Sequence, residues 1–294
     1  MPTRAFAALT AEPWAIEASW LPIIAALAMR EPVNIPKPTW AGHNLEVFAG
    51  PDARKLEGSR AATVTADGVA LIPVFGPIFP RANMMTEVSG ATTAQGILSD
   101  YRAAQNSADV EHVMLLDDSP GGAVSGIAAL TDAMWAGRRV KPLSVHAMGT
   151  MASAAYWFSS QAQTITIDRT AVVGSIGVLA GLARQVEPDS DGRMPLDIVS
   201  SNAPEKAPDL GTEEGIAQIR AMLDAIESEF ISDVARGRNT TPARVKADFG
   251  QGGVKVGAAA VAAGMADKVT SFDAAYRAIA QSLANSRKLA RLKA

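Results

Sequence analysis

The chain has 294 residues, a length that suits one large domain or two modest ones and is ample to bury a core. Its 48% hydrophobic and 19% charged residues are typical of a globular protein, and the net charge of −3 gives no basis for binding nucleic acid or an anionic membrane. With no cysteine and only three scattered histidines, the sequence excludes disulfides, a thiolate zinc site and a cysteine nucleophile, and it suggests no metal cluster.

The first 60 residues differ from the rest in their tryptophan and proline content, and we expect an irregular extension over 1–60 that wraps on the body or on a neighbour. Within it, WLPIIAALAM at 20–29 is predicted to form an amphipathic helix. A membrane-spanning helix needs about 20 apolar residues, so this run is too short, and its acidic neighbours make it a poor signal peptide. We therefore expect a cytoplasmic protein without a membrane segment.

From Gly68 onward, short apolar runs alternate with helical patterns, which favours an α/β fold with parallel βαβ units. The predicted strands are 68–76, 110–118, 142–149, 164–168 and 195–201, and the predicted helices are 92–108, 126–137 and 153–162. Beyond Gly211 the pattern is helical, with a long amphipathic helix over 213–238 and a further helical unit near 242–248. We expect one body domain over 61–275 and a basic, frayed tail within 276–294.

Candidate chemistry lies at the carboxyl ends of two predicted strands, where ligands gather in parallel sheets. The stretch DSPGG, 118–122, ends the first, and its glycines permit a tight turn with an exposed N–H, as in half of an oxyanion hole. A plain strand-to-helix turn explains it equally well. The stretch GTMASAAYW, 149–157, surrounds Ser153 with small residues, which suits either a nucleophile or a helix cap.

A serine nucleophile requires a base. No histidine follows Ser153, and His146, inside the preceding predicted strand, is better explained as a core residue. A lysine remains, since burial can make a lysine basic at neutral pH. Lys206 stands out because its loop, SSNAPEKAPD at 200–209, is stiffened by prolines. Ser175, in AVVGSIGV at 171–178, is either a hydroxyl that orients this base or part of a glycine-rich turn.

The ordered set DSPGG, MGTMASAAYW, VVGSIGV and a lysine loop resembles the signal peptide peptidase A family over roughly residues 68–270. The segments 76–93 and 200–209 look typical of its phage-encoded branch, which is associated with capsid maturation. The resemblance implies a Clp protease/crotonase-like fold of repeated ββα units and a Ser/Lys dyad without a cofactor. It assigns Ser153 as nucleophile, Lys206 as general base, Ser175 as the hydroxyl that holds the lysine, and Gly121, Gly122 and Ala154 as oxyanion-hole residues.

Two departures from the family pattern stand out. Ala154 and Ala155 occupy positions where the family often has glycines, and the membrane anchor of many signal-peptide-degrading members is absent, which favours a soluble substrate. Short members of the family form rings, so we expect a homo-oligomer in which Lys206 reaches Ser153 of a neighbour.

We therefore predict a serine endopeptidase that cleaves protein substrates, such as phage scaffold or capsid protein, through an acyl-enzyme in the host cytoplasm or prohead. A crotonase-like acyl-CoA enzyme and a catalytically silent capsid-assembly protein are the alternatives.

Overall fold

The computed structural model describes residues 12–28, 46–81, 92–182, 186–188, 191–194 and 196–293. Its strands are β1 Trp14–Ile16, β2 Arg54–Lys55, β3 Thr63–Val64, β4 Val69–Phe75, β5 Ile78–Phe79, β6 Thr92–Thr93, β7 His112–Ser119, β8 Gly121–Ala123, β9 Leu143–Ala152, β10 Thr164–Ile167, β11 Val172–Gly174, β12 Val254–Val256 and β13 Lys268–Val269. Its helices are α1 Trp20–Ala28, α2 Glu46–Ala49, α3 Ala94–Asn106, α4 Ile127–Gly137, α5 Ala154–Ser159, α6 Glu213–Gly237, α7 Pro242–Asp248, α8 Ala258–Ala263 and α9 Phe272–Lys293, with a 3-10 turn at Pro204–Lys206.

The main sheet has the strand order β12-β11-β9-β7-β4-β3-β2, and β10 pairs with β9 and β13. Its centre, β4, β7 and β9 with β10 and β11, is parallel. These central strands are nearly continuous apolar runs because both of their faces are covered. The predicted mixed α/β fold with a parallel sheet and a helical C-terminal part is confirmed.

A second, smaller sheet has the order β1-β8-β5-β6 and lies at the carboxyl end of β7. Strand β8 joins the two sheets, since it follows β7 after the single residue Pro120. Strand β1 pairs with β8 in the antiparallel direction, whereas β5 pairs with it in the parallel direction. The small sheet therefore carries DSPGG into contact with the N-terminal segment.

The helices form where sequence caps and apolar spacing coincide. In α3, the Thr93 hydroxyl accepts a hydrogen bond from the Gly96 N–H, and Ile97, Tyr101 and Ala104 form the buried face. The C-terminal helix α9 continues to Lys293, beyond the start of the predicted frayed tail. Arg287 attaches it to the body, donating to Glu111 at 2.8 Å and to the Asp67 carbonyl at 2.7 Å.

The sequence prediction fails for one strand. Residues 196–201 form no strand in the structure, and Leu196 and Ile198 are 82% and 88% exposed. Their apolar alternation predicts a buried strand, but none of the strands that the structure describes pairs with them. Two stretches used in the sequence analysis are not fully described by the structure. The proline-rich stretch at 31–38 lies outside the described residues, and so do residues 82–91 of the segment 76–93. None of the helices described here combines the length and the apolar character that a membrane crossing requires.

Candidate active site

Ser153 lies at the junction between β9 and α5, in a backbone conformation that a serine adopts only under strain. Its φ is 53° and its ψ is −121°, and its N–H donates to the Gly174 carbonyl at 2.7 Å. A glycine, Gly257, has the same geometry at the start of α8, with φ 50° and ψ −120°. Such strain costs about 1–3 kcal/mol for a residue with a side chain and concentrates at functional sites.

The Ser153 side chain is 1% exposed, and its hydroxyl has no hydrogen-bond partner among the described residues. It also makes no capping bond to α5, so the helix-cap explanation of this serine is wrong. Leaving a buried hydroxyl unpaired costs about 1–3 kcal/mol. Ala152, Ala154 and Ala155 around it are fully buried and small, as the sequence suggested. A strained and unpaired hydroxyl fits the predicted nucleophile, which needs a general base as its hydrogen-bond partner.

The two glycines of DSPGG have different tasks. The Gly121 N–H donates to the Ser119 hydroxyl at 3.2 Å, which in turn donates to the Gly76 carbonyl at 2.7 Å. Ser119 therefore braces the turn and occupies the Gly121 donor. The Gly122 N–H faces the opposite edge of β8, toward β1. The N–H of Gly121 is therefore taken up inside the turn, whereas that of Gly122 is directed to a chain on the β1 side.

Steric room explains why both positions are glycine. A Cβ on Gly121, whose φ is +95°, would overlap the Ala15 carbonyl oxygen and lie 2.9 Å from the Ala154 nitrogen. A Cβ on Gly122 would overlap the Ile78 carbonyl oxygen. The backbone of DSPGG thus approaches the N–H of Ala154, the residue directly after Ser153, at a distance that no side chain permits. This brings together the two segments from which the sequence analysis predicted an oxyanion hole.

Ser175 lies beside Ser153 in the sheet. Strands β11 and β9 pair in parallel with Gly174 opposite Ala152, so the next residues along are the two serines. Ser175 has a φ of 54° and donates its N–H to the Gly253 carbonyl at 2.8 Å. It lines a cavity of about 380 Å³ that Glu17 also borders.

Lys206 makes no hydrogen bond to the Ser153 hydroxyl. It ends the 3-10 turn Pro204–Lys206 and is exposed to solvent. Because the Ser153 hydroxyl has no partner among the described residues, the predicted dyad is not formed within this single chain.

Other ionisable groups near these strands have different partners. Asp117 is fully buried and accepts a hydrogen bond from the Ser159 hydroxyl at 2.9 Å, and burial raises the pKa of its carboxyl well above the usual value. Asp118 accepts from the Thr150 N–H at 2.8 Å. An acyl-CoA enzyme of the crotonase type would need an acid or base facing the glycine turn, and neither carboxylate bonds to Ser153.

Of the two described histidines, His146 is a core residue and His112 is partly buried at the start of β7. Burial lowers the pKa of His146 to about 4, so its ring is neutral at pH 7, and its Nδ1 lies 3.0 Å from the Thr166 hydroxyl. This agrees with the structural role expected for His146 and leaves Ser153 without a histidine base. In the part of the chain that the structure describes, no three His, Cys, Asp or Glu residues form a group suited to a metal ion.

The sequence analysis missed one element of the site, strand β1. Trp14–Ile16 pairs with Gly121–Ala123, and Trp14 also exchanges two backbone hydrogen bonds with Leu179. Three apolar residues between Pro13 and Glu17 are too few to show a strand period. The available signal was the proline that starts the run and the high strand propensity of tryptophan and isoleucine.

Comparison with known proteins shows which family the residues around Ser153, Ser175 and Lys206 resemble. A sequence model described as Peptidase family S49 matches residues 136–187 and 203–287, which include Ser153, Ser175 and Lys206. The predicted family resemblance is confirmed: over these residues the chain matches peptidase family S49. The S49 match begins after DSPGG, so the glycine turn rests on the geometry described above.

Three relatives extend the comparison. The chain is 32% identical to the head-tail preconnector protein GP5 of Enterobacteria phage P21 over 135 residues, 45% of this chain and 27% of that protein. It is 32% identical to the capsid assembly protease C of Escherichia phage lambda over 113 residues, 38% of this chain and 26% of the relative. It is 30% identical to Protease 4 of Salmonella typhi over 236 residues, 78% of this chain and 36% of the relative. The chain therefore spans only about a quarter to a third of the length of these S49-related proteins.

Proposed function

We propose that this chain is a serine endopeptidase in which Ser153 and Lys206 form a catalytic dyad. The observation that carries the proposal is the strained, buried and unpaired hydroxyl of Ser153, directly before the Ala154 N–H that the DSPGG backbone approaches. The S49 family match over the same region supports it.

In this mechanism, the Ser153 Oγ attacks the carbonyl carbon of an extended peptide while a neutral lysine accepts its proton. The N–H groups of Gly122 and Ala154 stabilise the tetrahedral oxyanion. The lysine then gives the proton to the leaving amine, and water hydrolyses the acyl-enzyme. Ser175 orients the lysine from the adjacent strand.

We further propose that the lysine comes from a neighbouring copy of the chain. Ser153 is buried and lacks a partner, whereas Lys206 is exposed on a turn. The segments on either side of Lys206 also expose apolar side chains, including Leu196, Ile198 and Met222. An interface between copies of the chain would remove these apolar side chains from water. Assembly would bury the lysine and supply the base in one step.

The proposed substrates are phage scaffold or capsid proteins, cleaved in the host cytoplasm or prohead. Two relatives, named as a capsid assembly protease and a head-tail preconnector protein, support this class of substrate. A catalytically silent assembly protein is the competing hypothesis, and it predicts no reactive serine.

Labelling with a reactive fluorophosphonate separates these hypotheses. We expect the parent chain to be labelled at Ser153 and Ser153→Ala to remain unlabelled. Ser99→Ala is the matched control, because Ser99 is an exposed serine on α3 and its loss should leave labelling intact. Absence of label on the assembled parent chain would favour the silent protein.

Subunit mixing tests the shared dyad. Ser153→Ala and Lys206→Ala are each expected to be inactive, and co-assembly should restore part of the peptidase activity. Lys288→Ala, which removes an exposed lysine on α9, should remain active alone. If mixed assemblies form and stay inactive, the two residues do not act across a subunit interface.

A further inference from the structure

The N-terminal segment at residues 13–17 is held by main-chain hydrogen bonds on both edges. On one edge, the Val124 N–H donates to the Pro13 carbonyl at 3.2 Å and the Glu17 N–H donates to the Pro120 carbonyl at 2.9 Å. On the other, Trp14 donates to the Leu179 carbonyl at 2.8 Å and accepts from the Leu179 N–H at 2.9 Å. The segment is thus an extended peptide that pairs with strand β8 on one edge and with Leu179 on the other. Pairing of an extended peptide with the edge of a sheet is the β-augmentation mode of peptide binding.

The register of this pairing places one particular carbonyl at the candidate oxyanion hole. In an antiparallel ladder the bonded pairs alternate, so the pair between Pro13–Val124 and Glu17–Pro120 is Ala15–Gly122. The Gly122 N–H therefore donates to the Ala15 carbonyl. A Cβ on Gly121 would overlap that same carbonyl oxygen while lying 2.9 Å from the Ala154 nitrogen. The Ala15 carbonyl thus lies among the donors assigned to the oxyanion.

The side chains of the segment are also accommodated as those of a ligand would be. Trp14 and Ile16 are each 2% exposed and pack in a separate apolar cluster, where Trp14 contacts Phe79 edge to face with ring centroids 6.0 Å apart. Ala15 points to the other side, into the main core, and is fully buried. The alternation leaves a small, closed site for Ala15 and an apolar surface for its two neighbours.

We infer that the peptide bond between Ala15 and Ile16 is a self-processing site of this chain. The inference rests on the proposed function. Ser153 Oγ attacks the Ala15 carbonyl carbon, the dyad base takes its proton, and the C–N bond to Ile16 breaks as the Ile16 nitrogen receives that proton. Water then hydrolyses the ester, leaving a carboxylate on Ala15 and a new amino terminus at Ile16.

The same contacts define the class of external substrate. A substrate that replaces residues 13–17 is extended, carries a small residue at the position of Ala15 and apolar residues on both sides of it. Residues 13–17 occupy the place of an external substrate, between β8 and Leu179, until this bond is cut. Self-processing therefore precedes cleavage of other chains.

The test uses the full chain under conditions in which it assembles, with intact mass and N-terminal sequencing as readouts. We expect the parent to lose residues 1–15 and to begin at Ile16. Ser153→Ala should stay full length. Ala15→Phe should also leave this bond uncut, because its closed site has no room for a phenyl ring, while fluorophosphonate still labels Ser153.

Ala18→Phe is the matched control, since Ala18 is exposed and its enlargement should leave cleavage after Ala15 intact. A synthetic peptide of sequence EPWAIEAS provides a readout that does not depend on folding of the variants, and we expect cleavage between its first alanine and isoleucine. If fluorophosphonate labels Ser153 but the Ala15–Ile16 bond persists in both chain and peptide, self-processing at this site is refuted and the peptidase proposal stands. If Ser153 is neither labelled nor able to cut, both fail together.

Discussion

Gly122→Ala tests the oxyanion hole more sharply than any change at the nucleophile. The substitution adds one methyl group where β8 lies against β5. The new Cβ would overlap the Ile78 carbonyl oxygen and lie 2.5 Å from its carbonyl carbon. Both are backbone atoms, so neither can rotate away as the end of a flexible side chain does. The φ of Gly122 lies outside the left-handed region, so the expected effect is steric.

The structure gives the size of this effect. Carbon contacts are optimal near about 3.5 Å, so β8 must retreat from Ile78 by about 1 Å. Overpacking of this kind costs about 1–3 kcal/mol of unfolding free energy. A displacement of about 1 Å, or loss of an oxyanion donor, lowers kcat about 100-fold or more. We therefore expect a large loss of reactivity with a moderate loss of stability.

The assay is the second-order rate of fluorophosphonate labelling at Ser153, measured beside thermal unfolding. Gly58→Ala is the matched control, because Gly58 has a φ of +73° and a Cβ there meets nothing within 4 Å. It should lower stability by about 1 kcal/mol and leave labelling unchanged. Labelling of Gly122→Ala within about threefold of the parent rate would show that the Gly122 N–H does not stabilise the oxyanion.

Three further outcomes are expected. Ser175→Ala should lower peptide cleavage by about tenfold and alter the pH–rate profile, since the lysine loses its orienting hydroxyl; an unchanged profile would leave Ser175 a turn residue. EDTA should not affect cleavage, and inhibition that zinc reverses would contradict a metal-free dyad. Burial lowers the pKa of His146 to about 4. Between about pH 6.5 and 4 the unfolded chain therefore binds a proton at this residue that the folded chain does not bind. The free energy of unfolding should fall as the pH drops through this range. His146→Gln should flatten this dependence in thermal melts, and an equally steep curve would mean that other groups, such as His112, dominate it.

The parallel core was predictable because its strands are long and apolar. The run at 110–118 and the run at 142–149 each contain most of a central strand, and the positions of DSPGG and Ser153 at their carboxyl ends follow from them. Which of the Gly121 and Gly122 N–H groups is bonded inside the turn was not predictable. It depends on the Ser119 hydroxyl, which accepts from the Gly121 N–H and donates to Gly76, far away in sequence, and so becomes visible only in the folded chain.

The sequence analysis missed strand β1 and wrongly predicted a strand at 195–201, for opposite reasons. Strand β1 has three residues and exists only because β8 and Leu179 flank it. The run predicted as a strand at 195–201 has the alternation of a strand, but within its described part, 196–201, no described strand pairs with it, and Leu196 and Ile198 remain exposed. In both cases pairing partners, and not local propensity, decided the outcome. Under the proposed function, the contact between Lys206 and Ser153 would likewise depend on a partner, a second copy of the chain, and not on local sequence.

The shared geometry of Ser153 and Gly257 has a consequence for how this fold would change over generations. At Gly257 the turn is built by the residue that tolerates it, and any Cβ there would overlap the Arg169 carbonyl oxygen. At Ser153 the same turn is built against the preference of the side chain. A descendant protein that retained the fold for a structural role, without catalysis, would relieve this strain by replacing Ser153 with glycine. Calorimetry of Ser153→Gly therefore measures the relief of this strain less the extra conformational entropy that glycine gives the unfolded chain.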